Sequence, residues 1–229
     1  MKQDIKNLHL ALQSGSIRAV IFDLDGVLVT TDNAHYLAWK RMADEEGIYF
    51  DRTINERLRG VSRMESLAII LERADKTYTE AKKIEMATRK NEYYKELICS
   101  LTSQAILPGA LAFIDLCRTY KLKIAIGSSS KNTKAILAQV GLANAFDAIA
   151  DGNDIKQSKP APDVFLTAAE KLGIPAQDCI VVEDADAGVQ AASAAGMRTL
   201  AVGYAAANPA ATWNAPGGLE DCLESIGQK

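Results

Sequence analysis

A chain of 229 residues, 48% hydrophobic and 24% charged, is long enough to bury a sizeable core and fits one domain plus an insertion. Its net charge of -3 leaves no basic stripe for nucleic acid, and its apolar runs stay far below the roughly 20 residues of a membrane-crossing helix. Cys99, Cys117, Cys179 and Cys222 form no Cys-x-x-Cys pair, which speaks against zinc or disulfides and suits the reducing cytoplasm.

Residues 1–16 hold no secretory apolar core, because Lys6, Asn7, His9 and Gln13 interrupt it. Leu8, Leu10 and Leu12 allow a short amphipathic helix there, of unassigned role. The first strong element is Arg18-Ala-Val-Ile-Phe-Asp-Leu-Asp-Gly-Val-Leu, an apolar strand that delivers Asp23 and Asp25. Side chains two apart share a face of a strand, and Gly26 lets the backbone turn beneath them. Acids crowded in this way need a cation. Mg²⁺ prefers oxygen ligands and commonly joins carboxylates to phosphate oxygens. With a metal offsetting its charge, one Asp can attack phosphorus while the other moves a proton. Asp-x-Asp-Gly is also an ordinary polar turn, so the rest of the chain has to decide.

From near Asp32 to near Thr102 the pattern is helical, with few strand signals. His35 and Trp39, four apart, share a helical face, which ordinarily means packing. Pro108-Gly109 marks the return to strand-and-helix alternation. A strand over Lys121 to Gly127 precedes Ser128-Ser129-Ser130-Lys131-Asn132 and apolar positions at Ile136, Leu137 and Val140, which puts hydroxyls at a helix start. Such a start favours phosphate, although a serine run is equally an ordinary N-cap. After a strand over Phe146 to Ala150, Lys159 stands in Ser158-Lys159-Pro160-Ala161-Pro162-Asp163, at the entry to a helix with Val164, Phe165, Ala168, Ala169 and Leu172 on its apolar side. The strand Cys179 to Glu183 ends in Glu183-Asp184, an acidic pair that packing explains poorly. Thr199 to Gly203 reads as the last strand.

This alternation predicts an α/β fold, a parallel sheet covered on both faces. Such sheets bind ligands beyond the carboxyl ends of their strands. Asp23, Asp25, Ser128, Lys159, Glu183 and Asp184 should therefore converge on one edge, with acids for a metal and hydroxyl plus ammonium for phosphate.

The same segments in the same order resemble the haloacid dehalogenase superfamily of phosphotransferases, over most of the chain. The resemblance implies a Rossmann-like core at 1–31 and 104–229 and an inserted α-helical cap at 32–103. Thr31, His35, Trp39, Gly60-Val61-Ser62-Arg63, Arg89-Lys90-Asn91 and Ser130-Lys131-Asn132 are similar to the superfamily's mutases of β-glucose 1-phosphate. By that resemblance Asp23 is the nucleophile that becomes an aspartyl phosphate, and Asp25 is the general acid and base. Thr31 and His35 would couple cap closure to Asp25. Asp23, the backbone carbonyl of Asp25 and Asp184 would hold Mg²⁺, supported by Glu183. Ser128 and Lys159, with Ser129 beside them, would bind the transferring phosphoryl group. Arg63, Ser130, Lys131 and Asn132 would grip the other phosphate, while Lys90 and Gly60-Val61-Ser62 meet the sugar.

The implied reaction interconverts β-glucose 1-phosphate and glucose 6-phosphate, with β-glucose 1,6-bisphosphate as intermediate and activator. The expected enzyme is a monomer with no nucleic-acid or membrane partner. A phosphatase of sugar phosphates or other small phosphomonoesters would share every core residue and need only the first phosphate site. A catalytically idle binding protein would be favoured by loss of Asp23, Asp25, Lys159 or Asp184, and none is lost. Two positions depart from the family pattern: Thr30, where an Asp commonly precedes the Thr, and Ala185, where a Ser is common. Asp32 is expected to cap the next helix instead.

Overall fold

The computed structural model describes residues 2–223; Met1 and residues 224–229, included in the expected core segments, lie outside the described residues. Short apolar runs form the strands β1 (Ala19–Phe22), β2 (Lys123–Gly127), β3 (Ala148–Ala150), β4 (Cys179–Glu183), β5 (Arg198–Val202) and β6 (Trp213–Ala215). They build one sheet in the order β3-β2-β1-β4-β5-β6, parallel at every pairing. Every residue of β1 and β4 is buried, as central strands covered on both faces must be. Phe22 lies opposite both Ile126 and Val182, so three strands end at one level and release their next residues side by side.

Alternation along the strands divides the core. Val20, Phe22, Ile124, Ile126, Ile180 and Val182 face one cluster, together with α1 (Lys2–Gln13) and α6 (Ala110–Thr119). α7 (Thr133–Gln139) joins that side through Ile136 and Leu137. Ala19, Ile21, Ala125, Cys179 and Val181 face the other, against α8 (Asp163–Leu172) and α9 (Asp186–Ala194). Between β1 and α6 lie α2 (Asp32–Glu46), α3 (Arg52–Glu56), α4 (Arg63–Leu71) and α5 (Glu80–Ile98). These four helices bury their own cluster, which includes Trp39, Met42, Phe50, Leu67, Ile70 and Met86. Local chemistry sets their ends: Asp51 accepts from Ile54 N at 2.8 Å, Ser62 and Glu65 form a reciprocal capping box, and Gly47 at φ 70° stops α2.

Several expected boundaries move. Lys121 and Leu122 close α6 rather than open β2: Leu122 N donates to Cys117 O at 3.0 Å, and Lys121 takes a left-handed φ of 58°. β3 starts at Ala148 because Phe146 turns its ring onto Phe22, centroids 6.2 Å apart. β5 runs one residue earlier than expected, since Gly203 already begins a 3₁₀ turn. β6 was not expected at all; three residues are too few to show a period. α7 begins only at Thr133, after Asn132, so the serine run forms turns ahead of the helix rather than its first residues. Asp32 is the first residue of α2, not its cap, and instead takes Asn55 Nδ2 at 3.3 Å and Arg59 at 3.3 Å. α1 buries Ile5, Leu8 and Leu12, while Leu10 is 64% exposed; a helical rather than an alternating spacing selects its face. All four cysteines are free, and no helix among the described residues is long and apolar enough to cross a membrane.

Candidate active site

The aligned strand ends bring three carboxylates together. Asp23 follows β1, and Glu183 and Asp184 end β4; one oxygen from each lies within 4.8 Å of the others. Asp23 and Glu183 are buried. Lys159, from the turn before α8, is 4% exposed and donates to Asp23 Oδ1 at 2.5 Å and Glu183 Oε2 at 3.1 Å. Burial works against its charge, yet the two carboxylates outweigh it and hold the ammonium protonated. One lysine does not balance the site. Burial, then Asp23 and Asp25, push Asp184 up to about 7, and burial pushes Glu183 well above the usual carboxylate range.

That surplus of hard oxygen donors fits a divalent cation such as Mg²⁺. The backbone keeps the cradle tight. A Cβ on Gly26, at φ 83°, would stand 2.0 Å from Asp184 Oδ2, and one on Gly188 would stand 2.0 Å from the Glu183 carboxyl.

Asp25 shares the face of Asp23 but has different partners. Thr31 N and Thr31 Oγ1 each donate to its carboxylate at 2.6 Å, and Tyr94 OH donates to Thr31 Oγ1 at 3.0 Å. It lines the cavity beneath the inserted helices with its side chain 37% exposed, and burial raises its carboxyl to about 6 against those two hydrogen bonds. A group poised there can give and take a proton near neutral pH. His35 Nε2 lies 3.9 Å from Asp25 Oδ2, and His35 Nδ1 lies 2.8 Å from Lys90 Nζ. Burial, Lys90 and Arg63 keep the imidazole neutral. A lysine donating to Nδ1 leaves the ring proton on Nε2, the nitrogen facing Asp25. The ring stacks on Tyr94 at 4.1 Å. Lys90 is 2% exposed between Trp39 and Tyr94, each ring centroid 4.7 Å from Nζ, and burial lowers it to about 7. Thus the helical spacing of His35 and Trp39 serves packing and a polar cluster together.

These groups line one cavity of about 580 Å³ between the strand ends and the inserted helices. Gly60, Val61, Ser62 and Arg63 line it from the insertion; Ser128, Ser129, Ser130, Lys131 and Asn132 line it from the loop after β2. Of the expected site residues only Thr31 stands behind the wall, holding Asp25. Ser128 Oγ accepts from Ser130 N at 3.3 Å and Ser130 Oγ from Asn132 N at 3.2 Å, so the hydroxyls shape the loop itself. Two contacts in the wall join the insertion to the loops at the strand ends. Asn132 Nδ2 donates to Asn91 Oδ1 at 3.1 Å, and the Gly60 position, at φ 70°, leaves only 2.7 Å between an added Cβ and Ala185 Cβ. The departure at Ala185 therefore falls where the insertion loop touches the acid end. Thr30, the other departure, lines the cavity while its N–H donates to Ala105 O at 2.9 Å.

Sequence reasoning did not single out Tyr94, Arg59, Asn55 or Lys156 in this wall. Arg59 joins Asp32 and lies 4.4 Å over the Tyr204 ring, a bridge between elements about 150 residues apart that no local pattern announces. Tyr94 carried a usable signal, because it lies four residues after Lys90 on the buried side of α5.

A family model for haloacid dehalogenase-like hydrolases matches residues 17–196. The β-phosphoglucomutase of Bacillus subtilis is 44% identical over 189 residues, 82% of this chain and 84% of that protein. A fructose-1-phosphate phosphatase of Escherichia coli is 33% identical over 184 residues, 78% of this chain and 92% of that protein. Among solved structures, β-phosphoglucomutase from Clostridium difficile superposes with a TM-score of 0.81 at 40% identity, covering 93% of this chain and 100% of its own.

Proposed function

Because this chain belongs to the haloacid dehalogenase-like hydrolase family, we propose that its site performs phosphoryl transfer as a Mg²⁺-dependent mutase of β-glucose 1-phosphate and glucose 6-phosphate. The observation that supports this reading is a single cavity lined by enough groups to meet two phosphates. We assign Asp23, Lys159 and the acids to one phosphate and Arg63, Ser130, Lys131 and Asn132 to the other. A bisphosphate needs both sets, whereas hydrolysis of a monophosphate needs one.

In this mechanism an oxygen of Asp23 bonds to phosphorus as the phosphorus–oxygen bond to the donor breaks. Asp25, held by Thr31, gives its proton to the departing sugar oxygen and takes one from the attacking hydroxyl in the reverse direction. Lys159 offsets phosphate charge beside Asp23, and Ser128 lies at the same end. Asp23, Glu183, Asp184 and the Asp25 carbonyl would hold Mg²⁺, which when bound neutralises phosphate charge and polarises the phosphoryl group. Lys90 and the Gly60-Val61-Ser62 backbone orient the sugar. Arg63 and its neighbours bind the phosphate that is not reacting, and the insertion excludes water from the aspartyl phosphate. β-Glucose 1,6-bisphosphate is then the intermediate, which turns end for end before returning phosphate to Asp23. We place the enzyme in the cytoplasm as a monomer.

The decisive experiment supplies β-glucose 1-phosphate, Mg²⁺ and a trace of glucose 1,6-bisphosphate, then measures glucose 6-phosphate and free phosphate together. Glucose 6-phosphate should dominate, and Asp23→Asn should abolish both products with an unchanged circular dichroism spectrum. Release of free phosphate alone would favour the second reading, a sugar-phosphate phosphatase, which similarity to the fructose-1-phosphate phosphatase supports.

A further inference from the structure

Residues 151–156, the first half of the loop that follows β3, take no part in the roles assigned above, yet they are fixed to the loop that carries Lys131. Gly152 N donates to Ser130 O at 3.1 Å, and Asn153 Nδ2 donates to Lys131 O at 3.2 Å. A Cβ at Gly152 would come within 2.3 Å of Ser129 O and 3.0 Å of Lys131 N, so only glycine permits this approach. The loop also braces itself: Asp154 Oδ2 accepts from Asp151 N at 3.0 Å, and Asp151 Oδ1 accepts from Asn153 N at 2.8 Å. Asp154 in turn pairs with Lys171 at 2.7 Å. What this frame carries is Ile155 and Lys156, and both line the active-site cavity.

Among the described residues Lys156 forms no ion pair and no side-chain hydrogen bond, although Asp154 stands two residues away. Arg63 and Lys131 line the same cavity and likewise form no ion pair among the described residues. By contrast Lys159, three residues on, is committed to Asp23 and Glu183 at the acid end. Arg59 pairs with Asp32 and Lys90 meets His35, so among the cavity cations Lys156, Arg63 and Lys131 are the ones left for an anion. A sugar phosphate ester carries between one and two negative charges near neutral pH, and a bisphosphate presents such a charge at each end.

We propose that Lys156 is a further substrate-binding residue, a third cation beside Arg63 and Lys131 that binds the non-reacting phosphate of a sugar bisphosphate. This assignment rests on the mutase reading. Because Lys156 arrives from a different loop than Lys131, it closes the subsite from the side of β3. Its solvent-exposed ammonium acts on capture of the substrate more than on the chemical step.

The test compares wild type with Lys156→Ala, Lys156→Arg and Lys134→Gln, the last removing one positive charge from α7 outside the cavity. Two readouts are needed: isomerisation kinetics over a series of salt concentrations, and calorimetric titration with glucose 1,6-bisphosphate in Mg²⁺. Lys156→Ala should raise KM about tenfold with a much smaller change in kcat, flatten the salt dependence of kcat/KM and weaken bisphosphate binding about tenfold. Lys156→Arg should restore most of the affinity, and Lys134→Gln should stay within about twofold of wild type. An unchanged bisphosphate affinity in Lys156→Ala, or an equal loss in Lys134→Gln, overturns the assignment. Should wild type form no glucose 6-phosphate, the mutase reading fails by itself, and the titration still decides whether Lys156 binds the second phosphate.

Discussion

Lys90→Met should make the protein more stable at neutral pH while disabling its site. The ammonium is 2% exposed, and its pKa falls from 10.5 to about 7 because burial disfavours the charge. An unfolded chain keeps the lysine protonated up to its ordinary value. Between about 7 and 10.5 the unfolded state therefore binds more protons, and this group's penalty shrinks as pH rises. Below about 7 both states are charged and the penalty is full. At roughly 1.4 kcal/mol per pH unit, the interval sets an upper bound of about 5 kcal/mol, and about 4 kcal/mol applies at pH 7. Methionine removes the charge with similar bulk but leaves His35 Nδ1 without its donor at 2.8 Å, a loss of about 1–3 kcal/mol. The expected net gain is about 1–3 kcal/mol at pH 7, vanishing or reversing near pH 10. Urea unfolding of wild type and Lys90→Met at both pH values, followed by fluorescence, measures it. A variant less stable than wild type at pH 7, or a gain independent of pH, would refute a desolvated ammonium at this position. Isomerisation should fall steeply in the same variant, since the proposed mechanism asks Lys90 to orient the sugar.

Asp25→Ala should slow transfer to and from the sugar oxygen by roughly 10²–10⁴ while leaving Mg²⁺ binding in place, because only its backbone carbonyl is asked to reach the metal; paired calorimetry and single-turnover kinetics separate the two. Gly188→Ala drives a Cβ to 2.0 Å from the Glu183 carboxyl, and should weaken Mg²⁺ binding at least tenfold in a metal titration without abolishing folding. Arg63→Ala should raise free phosphate relative to glucose 6-phosphate in a dual-product assay, because the variant cannot make the paired hydrogen bonds to the distal phosphate that the proposed mechanism asks of Arg63. An unchanged product ratio would remove Arg63 from that role.

The acid end was legible because strand physics acts over short distances. Apolar runs of four or five residues ended in Asp23-x-Asp25 and Glu183-Asp184, and parallel pairing aligned those ends. Lys159 was harder, since its partners lie 136 and 24 positions away and its own segment shows only prolines around one lysine. The helix entry at Ser128 was placed too early because serine favours turns and N-caps equally, and only the structure shows Asn132 preceding α7. β6 and the Arg59–Tyr204 stack carry no local pattern; each exists because elements distant in sequence meet.

The amino-terminal helix also dictates the order in which this chain can complete itself. α1 is synthesised long before its partners, because its side chains pack against β6 and the turn beyond it, and His9 Nε2 meets Cys222 O at 2.7 Å across 213 positions. Ile5, Leu8 and Leu12 belong to the same cluster as Trp213, Ala215 and Leu219. A ribosome must therefore add the 213 positions that separate His9 from Cys222 before that apolar face finds its partner, and until then the face stays available to chaperones or to neighbouring nascent chains.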